Sequence, residues 1–159
     1  LLELSKLEDP DFSIDRQPVE LHSVLADLLR SVQPLLSPKN LTLNANIQPG
    51  TWTLSADAQR LRQMILIVLD NAIKYSPNGS SIDLIAQSTG DTITLTITDH
   101  GPGMTPEQVS TLFQRYHTTS GNGIGLALAK KIADRHDITI KVDSTVGIGT
   151  SLVFMFKLN

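Results

Sequence analysis

Two alternating segments joined by a short polar turn restrict the fold of this 159-residue chain more than any other feature. Residues 81–87 and 92–98 each alternate apolar and polar side chains, and Gly90 and Asp91 lie between them. Alternation with a period of two indicates half-buried strands, and the short connection favours an antiparallel hairpin. The second strand runs directly into DHGPGM, residues 99–104. The sequence therefore predicts a sheet that ends in an acidic, glycine-containing turn.

Three other segments carry apolar residues at the three- and four-residue spacing of amphipathic helices. The spacing predicts helices over residues 22–36, 57–74 and 123–136. The first pattern ends near Pro38, which cannot continue a helix. Asp57 stands immediately before the second pattern, where an aspartate favours an N-cap.

Further short segments complete the predicted sheet. Residues 17–21 have an extended pattern, and residues 41–47 alternate. After a Pro-Gly pair, residues 51–54 are expected to return as the hairpin partner of 41–47, and residues 138–143 and 149–157 supply two more strands. The predicted fold class is α+β: a two-layer sandwich in which a mixed, mostly antiparallel sheet is covered on one face by helices.

Composition excludes several classes of function. The formal net charge is −3, and the 13 basic residues are scattered, so nothing favours nucleic acid as a partner. The chain contains no cysteine, which rules out disulfides and thiolate zinc sites and fits a cytoplasmic protein. No apolar run has the length of a membrane span, so no direct membrane contact is expected of this chain.

The N-terminus predicts a piece of a longer protein. Leu1, Leu2, Leu4 and Leu7 have helical spacing, and the first residue is not methionine. A frayed terminal helix without further significance is the alternative. We expect residues 1–14 to end an upstream helix and linker, and residues 15–159 to form the domain.

The end of the second predicted helix carries three side chains suited to a nucleotide. Asn71, Lys74 and Tyr75 lie three to four residues apart and project from one side of the helix. An amide oxygen, a cation and an aromatic ring suit a metal, a phosphate and a flat base. The alternative is an ordinary solvated helix end.

The turn at residues 99–104 has the composition of a ligand site. The Asp99 carboxylate can accept a hydrogen bond from an exocyclic amine, and the glycines at 101 and 103 permit close approach to the backbone. A tight turn with a capping aspartate is the alternative.

A second glycine cluster, GNGIGLALAKKIADRH at residues 121–136, precedes the third predicted helix. Free backbone N–H groups at a helix start bind anions, so phosphate is the expected ligand. A flexible loop is the alternative. Neither the GxGxxG fingerprint nor the GxxxxGK[ST] phosphate loop is matched.

The ordered set of these motifs resembles a known family. DNAIKYSPNG, DHGPGM, LFQRYH, GNGIGLALAKKIADRH and GIGTSLVFMF resemble the asparagine, first glycine, phenylalanine, second glycine and final glycine-threonine motifs of the sensor histidine kinase ATP-binding domain. That domain belongs to the gyrase, Hsp90, histidine kinase and MutL superfamily, which has the Bergerat fold. The resemblance covers residues 15–157, and LLELSKLED resembles the end of the preceding dimerisation helix.

The resemblance implies a site for ATP and Mg²⁺. It implies that Asp99 holds the adenine amine, that Asn71 coordinates magnesium and that Lys74 contacts the phosphates. Residues 104–122 would form an ATP lid, with Phe113 and Tyr116 folding it against the body. The implied nucleotide contacts are Asn71, Lys74, Tyr75, Asp99, Gly101, Gly103, Met104, Arg115, Gly123, Ile124, Gly125, Leu126 and Thr150, and the implied catalytic positions are Asn71, Lys74 and Asp70.

The chain departs from the family pattern at two places. Ile67 stands where many relatives have a second asparagine, one turn before Asn71, which removes a polar contact to magnesium or its waters. Asp70 and waters are a possible compensation. The lid is short and weakly basic, with Arg115 and His117 as its candidates for the γ-phosphate.

The resemblance also implies the partners. None of His22, His100, His117 and His136 lies in a phosphoacceptor motif, so the recipient histidine is expected on the upstream dimerisation domain of a homodimer. A response regulator receiver domain would be the next partner. Membrane anchoring of the parent protein is compatible with the resemblance. Two alternatives remain: a stand-alone ATPase, disfavoured because Ile67 replaces its acidic base, and a nucleotide-sensing or partner-docking module.

Overall fold

The structure, a computed structural model, describes residues 13–114 and 125–158. In chain order the elements of this part of the chain are β1 (Gln17–Glu20), α1 (Leu21–Leu36), a 3-10 turn (Ser37–Lys39), β2 (Thr42–Ile47), β3 (Thr53–Ala56), α2 (Ala58–Tyr75), β4 (Ser81–Thr89), β5 (Thr92–Asp99), α3 (Pro106–Ser110), α4 (Gly125–Arg135), β6 (Thr139–Thr145) and β7 (Gly149–Lys157).

The main sheet has five strands in the order β2-β4-β5-β7-β6. β2 pairs with β4 in parallel, and the remaining pairs are antiparallel. The helices α1, α2 and α4 cover one face of this sheet and share a single apolar core with it. The predicted fold class, a two-layer α+β sandwich with a mixed, mostly antiparallel sheet, is confirmed. Within residues 13–114 and 125–158, no helix is long and apolar enough to cross a bilayer.

Alternating burial along the strands explains how the sheet and helices pack. On β5, Ile93, Leu95 and Ile97 are at most 1% exposed, whereas the threonines between them are half-buried on the open face. Burial of each such side chain contributes about 1.5–3 kcal/mol. The predicted hairpin of β4 and β5 is confirmed, with Leu84 opposite Ile97. The residues that α2 contributes to the core are those of the predicted stripe: Leu61, Met64, Ile65, Val68, Leu69, Ala72 and Ile73.

Both ends of α2 are fixed by specific contacts. Asp57 is the N-cap, as predicted, and its Oδ1 accepts the Arg60 N–H at 3.2 Å. The Asp57 N–H donates to Nε2 of His136 at 3.0 Å, and Nδ1 of that ring lies 2.9 Å from the Ile132 carbonyl oxygen. Burial lowers the pKa of His136 and so favours the neutral ring that both contacts require. This histidine therefore ties the end of α4 to the start of α2.

The predicted hairpin between residues 41–47 and 51–54 is wrong. β2 instead pairs in parallel with β4, so that Leu43 lies opposite Ile82 at the edge of the main sheet. β3 leaves that sheet and pairs antiparallel with β1 in a separate two-stranded ribbon. The Pro-Gly pair between the two segments redirects the chain and does not form a hairpin turn.

The start of α1 explains why β3 joins β1. The Glu20 carboxylate accepts the Trp52 N–H at 3.0 Å and the N–H groups of His22 and Ser23 at 3.1 Å each. The Leu21 N–H donates in return to the Trp52 carbonyl at 2.8 Å. Burial alone would raise the pKa of Glu20, but the hydrogen bonds from Trp52, from the His22 ring and from the helix start lower it to about 2. The charged helix cap thus holds the chain just before β3 beside β1.

Candidate functional site

Three polar side chains form a row across one end of the helix-facing side of the main sheet. Asp99 on β5 pairs with Thr150 on β7, and Thr150 pairs with Ser144 on β6. Asp99 is 8% exposed and Thr150 is 9% exposed. The next row into the core is apolar and consists of Ile97, Leu152 and Val142. A few convergent polar groups at the border of an apolar core are the usual setting for recognition of a flat organic ligand.

The Asp99 carboxylate is buried and oriented as a hydrogen-bond acceptor. Its Oδ1 already accepts the Gly101 N–H at 2.9 Å. Burial raises the pKa of the Asp99 carboxyl, while hydrogen bonds from the Gly101 and Thr150 backbone and the charge of His100 oppose that rise. A desolvated carboxylate gains strongly from a ligand N–H because water no longer competes for its oxygens.

The two glycines of the turn at residues 99–104 allow it to contact two other elements. A Cβ at residue 101 would lie 2.5 Å from the Tyr75 carbonyl oxygen, so only glycine lets the turn pack against the end of α2. Gly103 has φ +72°, and a Cβ there would clash with the Thr145 carbonyl at the end of β6. The Gly147 N–H also donates to the Pro102 carbonyl at 2.7 Å. The turn is therefore held between α2 and the β6–β7 connection.

The predicted residues on α2 lie at its C-terminal end, beside this turn. Asn71 and Tyr75 are half-buried, and Lys74 is exposed. Lys74 Nζ lies 3.0 Å from Asp70 Oδ2 in an exposed i, i+4 pair. The last two turns of α2 thus carry an amide, a carboxylate and an ammonium group, and the last two of these form an ion pair. Ile67 packs against the apolar core and contributes no polar atom.

Of the remaining predicted residues, Met104 contacts the row on β6, and Gly125 and Leu126 lie at the start of α4. The Met104 N–H donates to Ser144 Oγ at 2.8 Å, which fixes the start of the segment after the turn. Gly125 and Leu126 are the first residues of α4 and are half-buried. Phe113 packs against the core. The predictions for Arg115, Tyr116, His117, Gly123, Ile124 and residues 1–12 fall outside the residues that the structure describes.

Lys39 supports the end of α2 and was not identified from the sequence. Its Nζ donates to the carbonyl oxygens of Ile73 at 2.7 Å and Lys74 at 2.9 Å. A cation bound to the last carbonyls of a helix satisfies groups without intrahelical partners and complements the helix dipole. Periodicity gives no signal for this contact, because Lys39 lies 34 residues before Ile73.

Lys39→Met is expected to lower the free energy of unfolding by about 1–2 kcal/mol, because two carbonyl oxygens lose a charged donor while the apolar stem remains. Urea unfolding followed by far-UV circular dichroism measures the change. Lys141→Met, on an exposed position of β6, is the matched control and is expected to change it by less than about 0.5 kcal/mol. Equal effects of the two substitutions would show that the helix end does not depend on Lys39.

Ser144 is a second residue that the sequence analysis missed. It lies opposite Thr150 only because the β6–β7 connection fixes this register. A hairpin turn within TVGIGT, residues 145–150, would place the side chains of Ser144 and Thr150 opposite each other. The strand predicted over residues 138–143 ends one residue before Ser144, whereas β6 extends to Thr145.

Comparison with known proteins identifies the family to which the chain belongs. A family model for histidine kinase-, DNA gyrase B- and HSP90-like ATPases matches residues 56–159, more than half of the chain. The chain therefore belongs to this family. Within it, the chain is the catalytic ATP-binding domain of a sensor histidine kinase, as its relatives show.

Two sequence relatives cover nearly the whole chain. The heme sensor protein HssS of Staphylococcus saprophyticus is 34% identical over 99% of this chain and 35% of its own length. The adaptive-response sensory kinase SasA of Synechocystis sp. is 35% identical over 97% of this chain and 42% of its own length. The chain thus spans less than half of either relative.

Solved structures share the fold. The mycobacterial sensor histidine kinase MprB has a TM-score of 0.82 at 27% identity, over 91% of this chain and 99% of that chain. Full-length ShkA in complex with AMPPNP has a TM-score of 0.88 at 24% identity, over 99% of this chain and 35% of that chain. At that identity, the second similarity is one of fold alone.

Proposed function

We propose that this domain binds Mg-ATP at the end of the sheet and donates the γ-phosphate to a histidine on an upstream dimerisation domain. The observation that carries the proposal is the contact between Gly101 and the Tyr75 carbonyl. That contact places a buried acceptor, Asp99, beside a helix end that carries Asn71 and Lys74. A single ligand with an amine at one end and phosphates at the other fits both groups.

The base would lie at the polar row of the sheet. Asp99 accepts the exocyclic amine, and the Thr150 hydroxyl supplies a second polar contact. Gly103 leaves the backbone accessible to the face of the ring, and Tyr75, half-buried at the end of α2, packs beside it. The apolar row behind Asp99 and Thr150 keeps water from competing with these contacts.

The phosphates and the cation would lie at the end of α2 and the start of α4. Asn71 and Asp70 offer oxygen atoms, the ligands that Mg²⁺ prefers together with phosphate oxygens and water. Across residues 13–114 and 125–158, no group of three or more histidine, aspartate or glutamate side chains forms a metal site, so phosphate oxygens would complete the coordination. Bound magnesium would neutralise phosphate charge. Lys74 would exchange its contact with Asp70 for a phosphate oxygen.

The remaining predicted contacts extend this site. We propose that Gly125 and Leu126 present backbone N–H groups of α4 to the phosphates, and that Arg115, Gly123 and Ile124 contribute from the preceding segment. In the transfer step, the bond between the γ-phosphorus and the ADP oxygen breaks while a phosphorus–nitrogen bond forms to the acceptor imidazole. Positioning and charge neutralisation are the main sources of catalysis in such reactions.

The acceptor would belong to the part of the protein upstream of residue 15. We propose that residues 1–14 end the dimerisation helix and that residues 15–159 form the catalytic domain of each protomer in a homodimer. The phosphoryl group would then pass to a response regulator receiver domain. HssS and SasA are named as a sensor protein and a sensory kinase, which supports the proposal that this domain works within a sensor kinase.

A nucleotide-sensing module is the second candidate function. Ile67 favours it, because this side chain packs against the core and gives no polar contact one turn before Asn71. Such a module would bind nucleotide at the same row of the sheet without efficient transfer. Magnesium dependence separates the two candidates, because only the kinase depends on productive coordination of the phosphates.

Titration calorimetry with a non-hydrolysable ATP analogue, with and without magnesium, tests the proposal. We expect magnesium to strengthen binding to the wild type, and Asn71→Ala to weaken binding in magnesium roughly tenfold and to remove the magnesium dependence. Asn46→Ala, on exposed edge strand β2, is the matched control and should behave as the wild type. Binding to the wild type that is indifferent to magnesium would favour the sensing module.

A further inference from the structure

Ser144 makes three hydrogen-bond contacts at the border of the nucleotide site. Its Oγ lies 2.8 Å from the Met104 nitrogen, 3.1 Å from the Gly149 carbonyl oxygen and 2.8 Å from Thr150 Oγ1. The side chain is half-buried and shares the helix-facing row with Asp99 and Thr150. It therefore connects the turn after Asp99 with the strand that carries Thr150.

The chemistry of these groups determines where the hydroxyl protons lie. A serine hydroxyl has one proton and two acceptor positions. The Met104 N–H can only donate, so it occupies one acceptor position. The Gly149 carbonyl can only accept, so it takes the Ser144 proton. All three contacts are then hydrogen bonds only if the Thr150 hydroxyl donates to Ser144.

This assignment sets the polarity of the base site. Because Thr150 uses its proton on Ser144, its oxygen presents only lone pairs to a ligand. Asp99, its neighbour on β5, also presents an acceptor. Two adjacent acceptors match the two N–H bonds of a 6-amino group, and they repel the carbonyl oxygen of a 6-oxo purine.

We propose that Ser144 is a positioning residue for base recognition: by accepting the Thr150 hydroxyl proton, it keeps Thr150 as a second acceptor beside Asp99 and increases selectivity for 6-amino over 6-oxo purine nucleotides. The inference rests on the proposed nucleotide site but concerns a residue that does not itself contact the base. Without Ser144, the Thr150 hydroxyl is free to rotate and to donate to a 6-oxo group.

The test compares ATP with ITP, which carries a 6-oxo group in place of the 6-amino group. Dissociation constants of both nucleotides are measured in magnesium for the wild type, Ser144→Ala and Thr150→Val. We expect Ser144→Ala to reduce the ITP-to-ATP ratio of dissociation constants roughly fivefold to tenfold. The ratio should stay above one, because Asp99 still disfavours the carbonyl.

Two further variants separate positioning from general damage. In the double variant Ser144→Ala/Thr150→Val, the ratio should equal that of Thr150→Val alone, because Ser144 acts through the Thr150 hydroxyl. Ser151→Ala removes a hydroxyl that bonds Thr98 on the open face of the same strand, and it should leave the ratio unchanged. If Ser144→Ala weakens the binding of ATP and of ITP equally, the proposal is overturned and Ser144 has only a structural role. Failure of the wild type to bind either nucleotide would instead reject the proposed site.

Discussion

Asp99→Asn is expected to weaken binding of an ATP analogue about 100-fold while leaving the fold intact. The asparagine amide keeps one oxygen for the Gly101 N–H, which Asp99 Oδ1 accepts at 2.9 Å. Its NH₂ group, however, meets the adenine amine with a donor where the carboxylate offers an acceptor. Loss of a charge-assisted hydrogen bond costs about 1.5–3 kcal/mol, and the opposed donors add to this loss. Titration calorimetry of the two proteins measures the change.

The stability of Asp99→Asn separates a binding role from a structural one. Burial raises the pKa of the Asp99 carboxyl, so the folded protein retains this proton to a higher pH than the unfolded chain. The stability gained from the protonated carboxyl is therefore complete below the unfolded pKa and is lost as the pH rises through the folded pKa, above which the buried charge lowers stability. At pH 7.5 the neutral asparagine removes this cost of a buried charge. We therefore expect the thermal midpoint either to rise or to fall by no more than about 3 °C.

Asp83→Asn is the matched control for this substitution. Asp83 is a partly exposed carboxylate on the open face of the same sheet, 3.3 Å from the His100 ring, and its loss should change affinity less than twofold. Unchanged affinity in Asp99→Asn would reject the assignment of the base to this row. A collapse of the thermal midpoint together with affinity would assign Asp99 to the fold instead.

Local patterns in the sequence predict the local parts of this fold. The hairpin of β4 and β5, the three long helices and the Asp57 cap depend on neighbouring residues, and each is present. The third helix ends at Arg135, one residue before its predicted end, and its predicted start at residue 123 lies outside the described residues. The partner of β2 is a different problem, because Thr42 pairs with Ser81 across a whole helix. Alternation in residues 41–47 fits an edge strand in either direction, so the pattern alone does not choose the partner.

The residues of the candidate site also differ in how far local sequence patterns predict them. Its contacting residues have chemical signatures within short motifs, such as the acid and glycines of DHGPGM. The residues that hold these motifs in place do not. Lys39 binds the end of α2 from a distant turn, and Ser144 contacts Thr150 through strand register. Such supporting contacts are set by tertiary packing, so no local sequence pattern predicts them.

Gly103→Ala is expected to cause the largest loss of stability among single methyl additions in the turn at residues 99–104. Gly103 has φ +72°, which costs an alanine about 1–2 kcal/mol. The added Cβ would also clash with the Thr145 carbonyl oxygen and lie 2.6 Å from its carbon. These backbone atoms belong to β6 and cannot rotate away, so we expect a total loss of about 3 kcal/mol or more.

Gly147→Ala separates backbone conformation from the clash. Gly147 has a similar φ of +82°, but a Cβ there would meet nothing within 4 Å, and its N–H bond to Pro102 is kept. Urea unfolding should therefore show a loss of only about 1–2 kcal/mol. Gly103→Ala should in addition lower nucleotide affinity, because separating the turn from β6 displaces Asp99 from Thr150 and Met104 from Ser144. Equal losses in the two variants would mean that the turn moves without strain and that contact with β6 does not position the base site.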